Sequence, residues 1–419
     1  MLFDELVFSH KGGTQRGITA VCSTHPWVLQ AALRVDGSIL IESTCNQVNQ
    51  YGGYTGLTPA QFAQYLYRLA AEAGYPVEKI LLGGDHIGPS AWSGEAAEIA
   101  MQKAEGLVQA CMAAGYQKLH LDASMHLGGD DTAHPLDVEL AAQRAARLAF
   151  VAEQAYPAAG GRPPCYVIGT EVPPPGGVSQ HEQRVSVTTV EGVRQTIDAT
   201  QRAFVKTGLE PAWERVMAVV VQPGVEFGDN FVLDYSPVEA RELVRFVERT
   251  PFVYEAHSTD YQTRRNLRAL VRDHFAILKV GPALTFAFRE AVFALAAIEA
   301  EMFPAEERSS VVQTIEAAML DRPGYWQKYY PGTPVEQAFK RKYSLSDRIR
   351  YYWPQPVVQS ALQRLVYNLE RKSIPWALLS QYAPDHYRRI RQGKLAGAPR
   401  AMVMDRISAV LDDYSAALE

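Results

Sequence analysis

The sequence predicts a (β/α)8 barrel followed by a helical C-terminal extension, and three observations lead there. Short apolar runs alternate with helix-length segments eight times before residue 304. The runs are apolar almost throughout, as parallel strands covered on both faces must be. Most end in an acid, an amide or a histidine, and the C-terminal strand ends are where such a barrel carries its chemistry. No Gly-x-Gly-x-x-Gly follows the first strand, which argues against a dinucleotide-binding sheet.

In order, residues 1–16 read as a leading helix and a turn at Lys11-Gly-Gly. Gly17–Ser23 is the first strand, followed by His25-Pro26 and a helix over 27–35. Ser38–Thr44 is the second strand and contains Glu42. An amide- and glycine-rich loop, Asn46–Thr55, then leads to a helix with Thr58 as N-cap and Pro59 in its first position. The third strand, Ile80-Leu-Leu-Gly-Gly-Asp-His-Ile-Gly-Pro89, is too short for a stable helix and delivers Asp85 and His86 to a loop; a helix spans 94–114. The fourth, Lys118–Ser124, ends at Asp122, with a helix over 136–156. The fifth, Tyr166–Val172, ends at Glu171, with a helix near 189–207. The sixth ends at Gln222, with a helix near 237–249. The seventh, Phe252–Ser258, carries Glu255 and His257, with a helix near 261–272. The eighth, Phe275–Pro282, precedes a helix near 284–303. From 305 strands vanish and aromatics concentrate, so the expected division is a barrel over 1–304 and a helical extension over 305–419 packed on it.

The bulk properties narrow the function. The chain has 419 residues, 47% hydrophobic and 21% charged, enough for a large core. Net charge is −5 with no basic stripe, so nucleic acid and acidic membrane surfaces are not expected partners. No apolar run is long enough to span a bilayer, and the acidic N-terminus lacks a signal peptide's basic flank. Four cysteines without a CxxC spacing read as reduced and buried. A cytoplasmic location follows as the expectation.

Imidazole and oxygen ligands converging from several rigid strands suit a divalent metal. His86, Glu171, Gln222 and His257, at the ends of strands three, five, six and seven, form the candidate metal set. Gln222 is its weakest member, because an amide oxygen is a poor ligand and serves equally to orient substrate. Asp85, Asp122, Glu255 and Asp260 are left for proton transfer. An N-cap for the 261–272 helix explains Asp260 equally well. His120 shares a strand face with Asp122 and is assigned to the core. His25, Glu42, Asn46, Ser124 and Lys279 are candidates for binding substrate.

Six long motifs support a resemblance. They are Gly83-Gly-Asp-His-Ile-Gly-Pro89, His120-Leu-Asp-Ala-Ser-Met125, Gly169-Thr-Glu-Val-Pro173, Val221-Gln-Pro-Gly-Val-Glu-Phe227, Glu255-Ala-His-Ser-Thr-Asp-Tyr-Gln262 and Leu278-Lys-Val-Gly-Pro-Ala-Leu-Thr285. With Tyr51–Gly56 and Ser346–Pro354 they resemble, nearly end to end, the tagatose-1,6-bisphosphate aldolase subunit family of Z type, historically called non-catalytic. That family is distantly related to class II ketose-bisphosphate aldolases. The resemblance implies that Asp85-His86 supplies a proton-transfer carboxylate and a metal ligand, and that His257 is a later ligand. Two departures stand out: Gln222 where those aldolases carry histidine, and Ser258-Thr-Asp-Tyr-Gln262 where they carry a glycine-rich phosphate loop.

The family also includes ketose 4-epimerases acting on fructose and tagatose, free or 6-phosphorylated. The resemblance therefore implies a metal-dependent 4-epimerase working by retro-aldol and aldol steps, with a Zn, Mn, Ni or Co ion and no nucleotide cofactor. The alternative is a stabilising subunit partnered by a separate aldolase catalytic chain, and a 3-epimerase or aldose–ketose isomerase is a third. A ketohexose or its phosphate is the expected ligand, and a homo-oligomer the expected assembly. Arg289, Arg348, Arg350 and Lys279 are the cations available for a phosphate.

Overall fold

Eight continuous apolar runs leave no polar face to turn toward water, so the strands close on one another. The computed structural model describes residues 3–14, 16–169 and 185–418. Its strands β1 Ile18–Val21, β2 Ile39–Thr44, β3 Ile80–Ile87, β4 Lys118–Leu121, β5 Cys165–Ile168 and β6 Val216–Val221 are parallel neighbours. A two-stranded antiparallel hairpin, β7 Glu226–Phe227 and β8 Val232–Leu233, interrupts the repeat in a stretch the sequence leaves as loop. The seventh and eighth barrel strands are thus β9 Val253–Ala256 and β10 Phe275–Val280, and β10 pairs with β1 to close the barrel. The expected fold class is the observed one. Glu171 and the Pro173–Gly177 run lie outside the described residues.

The helices are α1 Phe3–Ser9, α2 Pro26–Ala32, α3 Pro59–Ala73, α4 Ala97–Ala113, α5 Val138–Ala158, α6 Val190–Lys206, α7 Glu210–Trp213, α8 Arg241–Val247, α9 Arg264–Arg272 and α10 Pro282–Met302. Local chemistry explains their ends. Thr58 and Gln61 form a reciprocal capping box on α3, with Pro59 in its first turn. The N-cap of α9 is Thr263, which accepts from Asn266 N–H, so the N-cap role weighed for Asp260 on this helix falls to Thr263.

Beyond the barrel the chain continues as α11 Val311–Asp321, α12 Pro334–Tyr343, α13 Pro356–Glu370, α14 Trp376–Tyr382, α15 Pro384–Arg391 and α16 Pro399–Leu418. The last helix packs against α2, α9 and α10, filling the outer ring where its last members meet its first. Tyr414 donates from α16 to the Thr259 carbonyl (2.8 Å), and Arg406 pairs with Glu290 (2.6 Å). Among the described residues no helix is long and apolar enough to cross a membrane.

The N-terminal helix plugs the bottom of the barrel. Phe3, Leu6 and Val7 join Ile18, Leu40, Leu81, Met217 and Ala276, from the early parts of the strands, in one apolar cluster. His10 fastens the segment after α1: its Nδ1 lies 2.6 Å from the Arg16 carbonyl and its Nε2 3.1 Å from His274 Nδ1. Burial lowers the pKa of both imidazoles, and Lys11 lowers both further. The Arg16 carbonyl on the His10 side, and Glu248 and Asp273 on the His274 side, oppose this. A histidine with a depressed folded pKa contributes stability that is complete above its unfolded value of about 6.5 and is lost as pH falls below it. The urea midpoint is therefore expected to fall between pH 7.5 and pH 5.5, and to fall less in His10→Gln. Equal pH slopes in the two proteins would refute this reading of the plug.

Candidate active site

A regular strand sends successive side chains to opposite faces, so Asp85 and His86 should diverge. They do not, because β3 is bulged there. Its register against β4 shifts between Gly84 and Ile87, and His86 adopts a left-handed φ of 47°. The irregularity brings both side chains into the barrel mouth, where each is only 3% exposed. Gly88 then lets β3 approach β4: a Cβ there would sit 1.8 Å from the Asp122 carbonyl oxygen. Any side chain at Gly88 would displace Asp122.

Three imidazoles meet at this point. The ring centroids of His86, His120 and His257 are 5.1, 4.9 and 5.2 Å apart pairwise, a nearly equilateral triangle. Each ring has one nitrogen on a carboxylate. His86 Nδ1 lies 2.7 Å from Asp122 Oδ2, His120 Nδ1 3.1 Å from Asp85 Oδ1, and His257 Nε2 2.9 Å from Glu255 Oε1. A carboxylate on one imidazole nitrogen supports the tautomer whose other nitrogen keeps its lone pair, the arrangement found around metal-binding histidines; His120 Nδ1 also lies 3.3 Å from the His86 backbone N–H. Ser124 donates to Asp122 Oδ1 at 2.6 Å, so it holds that carboxylate in place.

Below the triangle lies a buried ion cluster. Lys118 Nζ is 2.7 Å from Glu42 and 2.6 Å from Glu255, and all three are fully buried. Lys279 Nζ is 2.8 Å from Glu42, 2.5 Å from Asp85 and 3.3 Å from Glu255. Burial alone would raise the pKa of Asp85, yet His86, Lys279 and His120 hold it well below the carboxylate range. Asp122, against the same burial, is held low by His86. Burial and then Lys279 push His257 down to about 3. Burial works against protonated His86, but Asp85 and Asp122 raise it above the ordinary value.

Asp85, His86, His120 and His257 each offer a ligand atom, all within 4.8 Å of one another. Two further observations fit a divalent cation. His120 Nε2 is buried without a hydrogen-bond partner. Four buried carboxylates, Glu42, Asp85, Asp122 and Glu255, crowd around only two buried ammonium groups, Lys118 and Lys279. The sequence reading chose His86, Glu171, Gln222 and His257. The structure brings the two histidines together and adds His120, which the sequence left in the core. The Oε1 of Gln222 accepts from Gly224 N–H at 2.8 Å.

An inner chamber of about 100 Å³ opens above the triangle, lined by Asp85, His86, His257, Lys279, Asn46 and Asp260 among others. Arg350 and Tyr351 from the extension also line it. Glu42 and Glu255 lie beneath the chamber, in the ion cluster. Asp260 has its own duty: its Oδ1 accepts from Gly281 N–H (3.0 Å) and Ala283 N–H (2.7 Å), capping the start of α10, and burial raises its pKa to about 6. His25 lines a second, larger cavity. Period-two spacing within β4, which places Lys118, His120 and Asp122 on one face, was the signal for His120 and Lys118; the pairing of Lys118 with Glu42 has no signal in sequence.

The sequence family described as D-tagatose-1,6-bisphosphate aldolase subunit GatZ/KbaZ-like matches residues 3–419. A Klebsiella pneumoniae protein named D-tagatose-1,6-bisphosphate aldolase subunit GatZ is 50% identical over 414 residues, 98% of this chain and 97% of its own length. A Salmonella dublin protein of the same name is 48% identical over the same shares. A crystal structure described as a probable tagatose 6 phosphate kinase from Sinorhizobium meliloti 1021 superposes with a TM-score of 0.88 at 45% identity, covering 96% of this chain and 100% of that one. The chain therefore belongs to the D-tagatose-1,6-bisphosphate aldolase subunit GatZ/KbaZ-like family.

Proposed function

We propose that the chain is itself an enzyme of aldol chemistry on a ketohexose: a metal-dependent ketose 4-epimerase interconverting fructose and tagatose, free or as 6-phosphates. The observation that carries this reading is the imidazole triangle with a carboxylate on every ring, two of whose members, His86 and His257, line a chamber together with Asp85. His86, His120 and His257 would hold the ion. A bound divalent cation supplies electrophilic polarisation of the C2 carbonyl.

The rest is work for the chain's own groups. C4 is not adjacent to the C2 carbonyl, so direct deprotonation cannot invert it. Asp85, kept ionised, takes the proton of the C4 hydroxyl. C4–O becomes a carbonyl, the C3–C4 bond breaks, and its electron pair is taken up between C3 and the C2 oxygen. The aldehyde fragment turns its other face, the C3–C4 bond re-forms, and Asp85 returns the proton to O4. No electrons are gained or lost overall. Lys279, 2.5 Å from Asp85, holds the carboxylate in place and keeps it anionic between turnovers. Arg350 and Tyr351 from the C-terminal extension line the chamber beside these groups.

A second reading has specific support: the closely similar relatives are named as aldolase subunits. Under it the chain serves a separate catalytic chain, and the names favour it over independent turnover. One experiment divides the two. The purified chain alone is incubated with fructose and with fructose 6-phosphate, with and without chelator, and the sugars are separated. Chelator-sensitive tagatose or tagatose 6-phosphate supports the epimerase. No product after Mn, Ni, Co or Zn is restored sinks it and leaves the subunit reading.

A further inference from the structure

The inner chamber does not end at the metal-ligating side chains. It adjoins an outer cavity of about 430 Å³, with which it shares walls at Cys22, Gln47, Tyr54, Gly281, Pro282 and Arg350. Arg350 is thus the charged side chain common to both spaces. Its guanidinium makes three hydrogen bonds among the described residues, to the carbonyls of Ser346 and Asp347 and to Tyr351 OH. None goes to a carboxylate. Three of its five N–H groups are used, which leaves Nε–H and one Nη2–H for a partner in the cavity.

The neighbouring acids Asp347 and Asp260 attract Arg350 through space, but neither carboxylate hydrogen-bonds to it among the described residues. Asp347 accepts from Thr285 Oγ1 at 2.5 Å and faces Arg289 at 3.4 Å. Asp260 accepts from two backbone N–H groups at the start of α10. That second commitment also fills the position where a helix N-terminus would otherwise take a ligand's anion. A second cation deepens the local excess. Arg348 is buried with its Nε unpartnered, and the guanidinium carbons of Arg348 and Arg350 lie 5.8 and 4.6 Å from the centroid of the Tyr351 ring. His25, 8% exposed, also lines the outer cavity and has both ring nitrogens without a hydrogen-bond partner. An unpaired guanidinium edge and an unpartnered imidazole in one cavity lack only an oxyanion.

We propose that Arg350, assisted by His25, is an anion subsite in the outer cavity that takes the terminal phosphate monoester of a ketose whose reacting carbons lie in the inner chamber. The inference rests on the reading of the inner chamber as a ketose site. The guanidinium edge offers two parallel donors to two phosphate oxygens, His25 donates to or accepts from a third oxygen or an adjacent hydroxyl, and the Arg348 charge behind adds attraction for a dianion.

Calorimetric titration of the purified full chain with fructose 6-phosphate, fructose and inorganic phosphate tests this apart from turnover. Fructose 6-phosphate is expected to bind at least about tenfold more tightly than fructose, and inorganic phosphate to compete with it. Arg350→Gln is expected to reduce the ratio of the two sugar affinities by about tenfold, with Arg350→Lys intermediate. Should Arg350→Gln melt early, the wild-type preference for the phosphate ester and the competition by inorganic phosphate decide. Equal affinity for both sugars, no binding of fructose 6-phosphate, or an unaltered ratio in a folded Arg350→Gln would overturn the subsite. Tight, Arg350-dependent binding without any tagatose product would uphold it while ending the epimerase reading.

Discussion

Asp85→Asn is expected to slow ketose turnover by about 100- to 10,000-fold, the range over which a positioned general base contributes. Asparagine fills the same space and its oxygen can still face Lys279 and His120, so the fold should survive. What it cannot do is accept the C4 hydroxyl proton. The loss belongs in kcat, because the substitution leaves the chamber walls intact. Asp85 is held well below the carboxylate range by His86, Lys279 and His120 against its burial, so it stays ionised across neutral pH and the wild-type rate should show no Asp85 titration there. The check is kcat and KM for both proteins beside their melting curves. A folded Asp85→Asn that keeps its kcat would remove Asp85 from the chemistry.

The largest stability effect is expected at Lys279. Its side chain is 5% exposed, and its ammonium meets Glu42, Asp85 and Glu255 within 3.3 Å. Lys279→Met preserves much of the side-chain volume but leaves Lys118 as the one buried ammonium among these three carboxylates. Removing one partner from a buried ion cluster costs about 3–5 kcal/mol, because charges remain without compensation. The sign of the pH effect follows. Without Lys279 the carboxylates gain raised folded pKa values and bind protons more readily than in the unfolded chain. The deficit against wild type should therefore be greatest near pH 8 and shrink toward pH 5. Denaturant titrations at the two pH values measure it. A deficit that is small and independent of pH would mean that the cluster is not ionised as drawn.

The barrel was legible because its evidence in sequence is local: a buried parallel strand is an apolar run, and eight of them in alternation with helices have few other solutions. The strand-end acids and histidines followed from the same pattern. Departures from it were not legible. The bulge that swings Asp85 and His86 together depends on a left-handed His86, which no residue type announces. His120 reads as core because it sits within a strand, and only the closed barrel shows that its ring faces two others across the mouth. Gln222 ends its strand as expected, but its amide turns back on Gly224, a choice made by the local turn. Asp260 caps a helix, and it is α10, more than twenty residues along, which is a tertiary fact. Arg350 comes from the extension, where sequence offers no strand register to say what it faces.

Metal content tests the central claim most directly. The chain is purified without chelator, loaded with Mn, Ni, Co or Zn in turn, desalted, and its metal counted against protein. One divalent ion per chain is expected, with its loss in His120→Ala while circular dichroism still reports the folded barrel. Because His120 lies outside the set that the sequence alone would choose, its effect distinguishes the imidazole triangle from that set. A folded wild-type chain that retains no ion, or a His120→Ala chain that binds metal as tightly as wild type, would contradict the account.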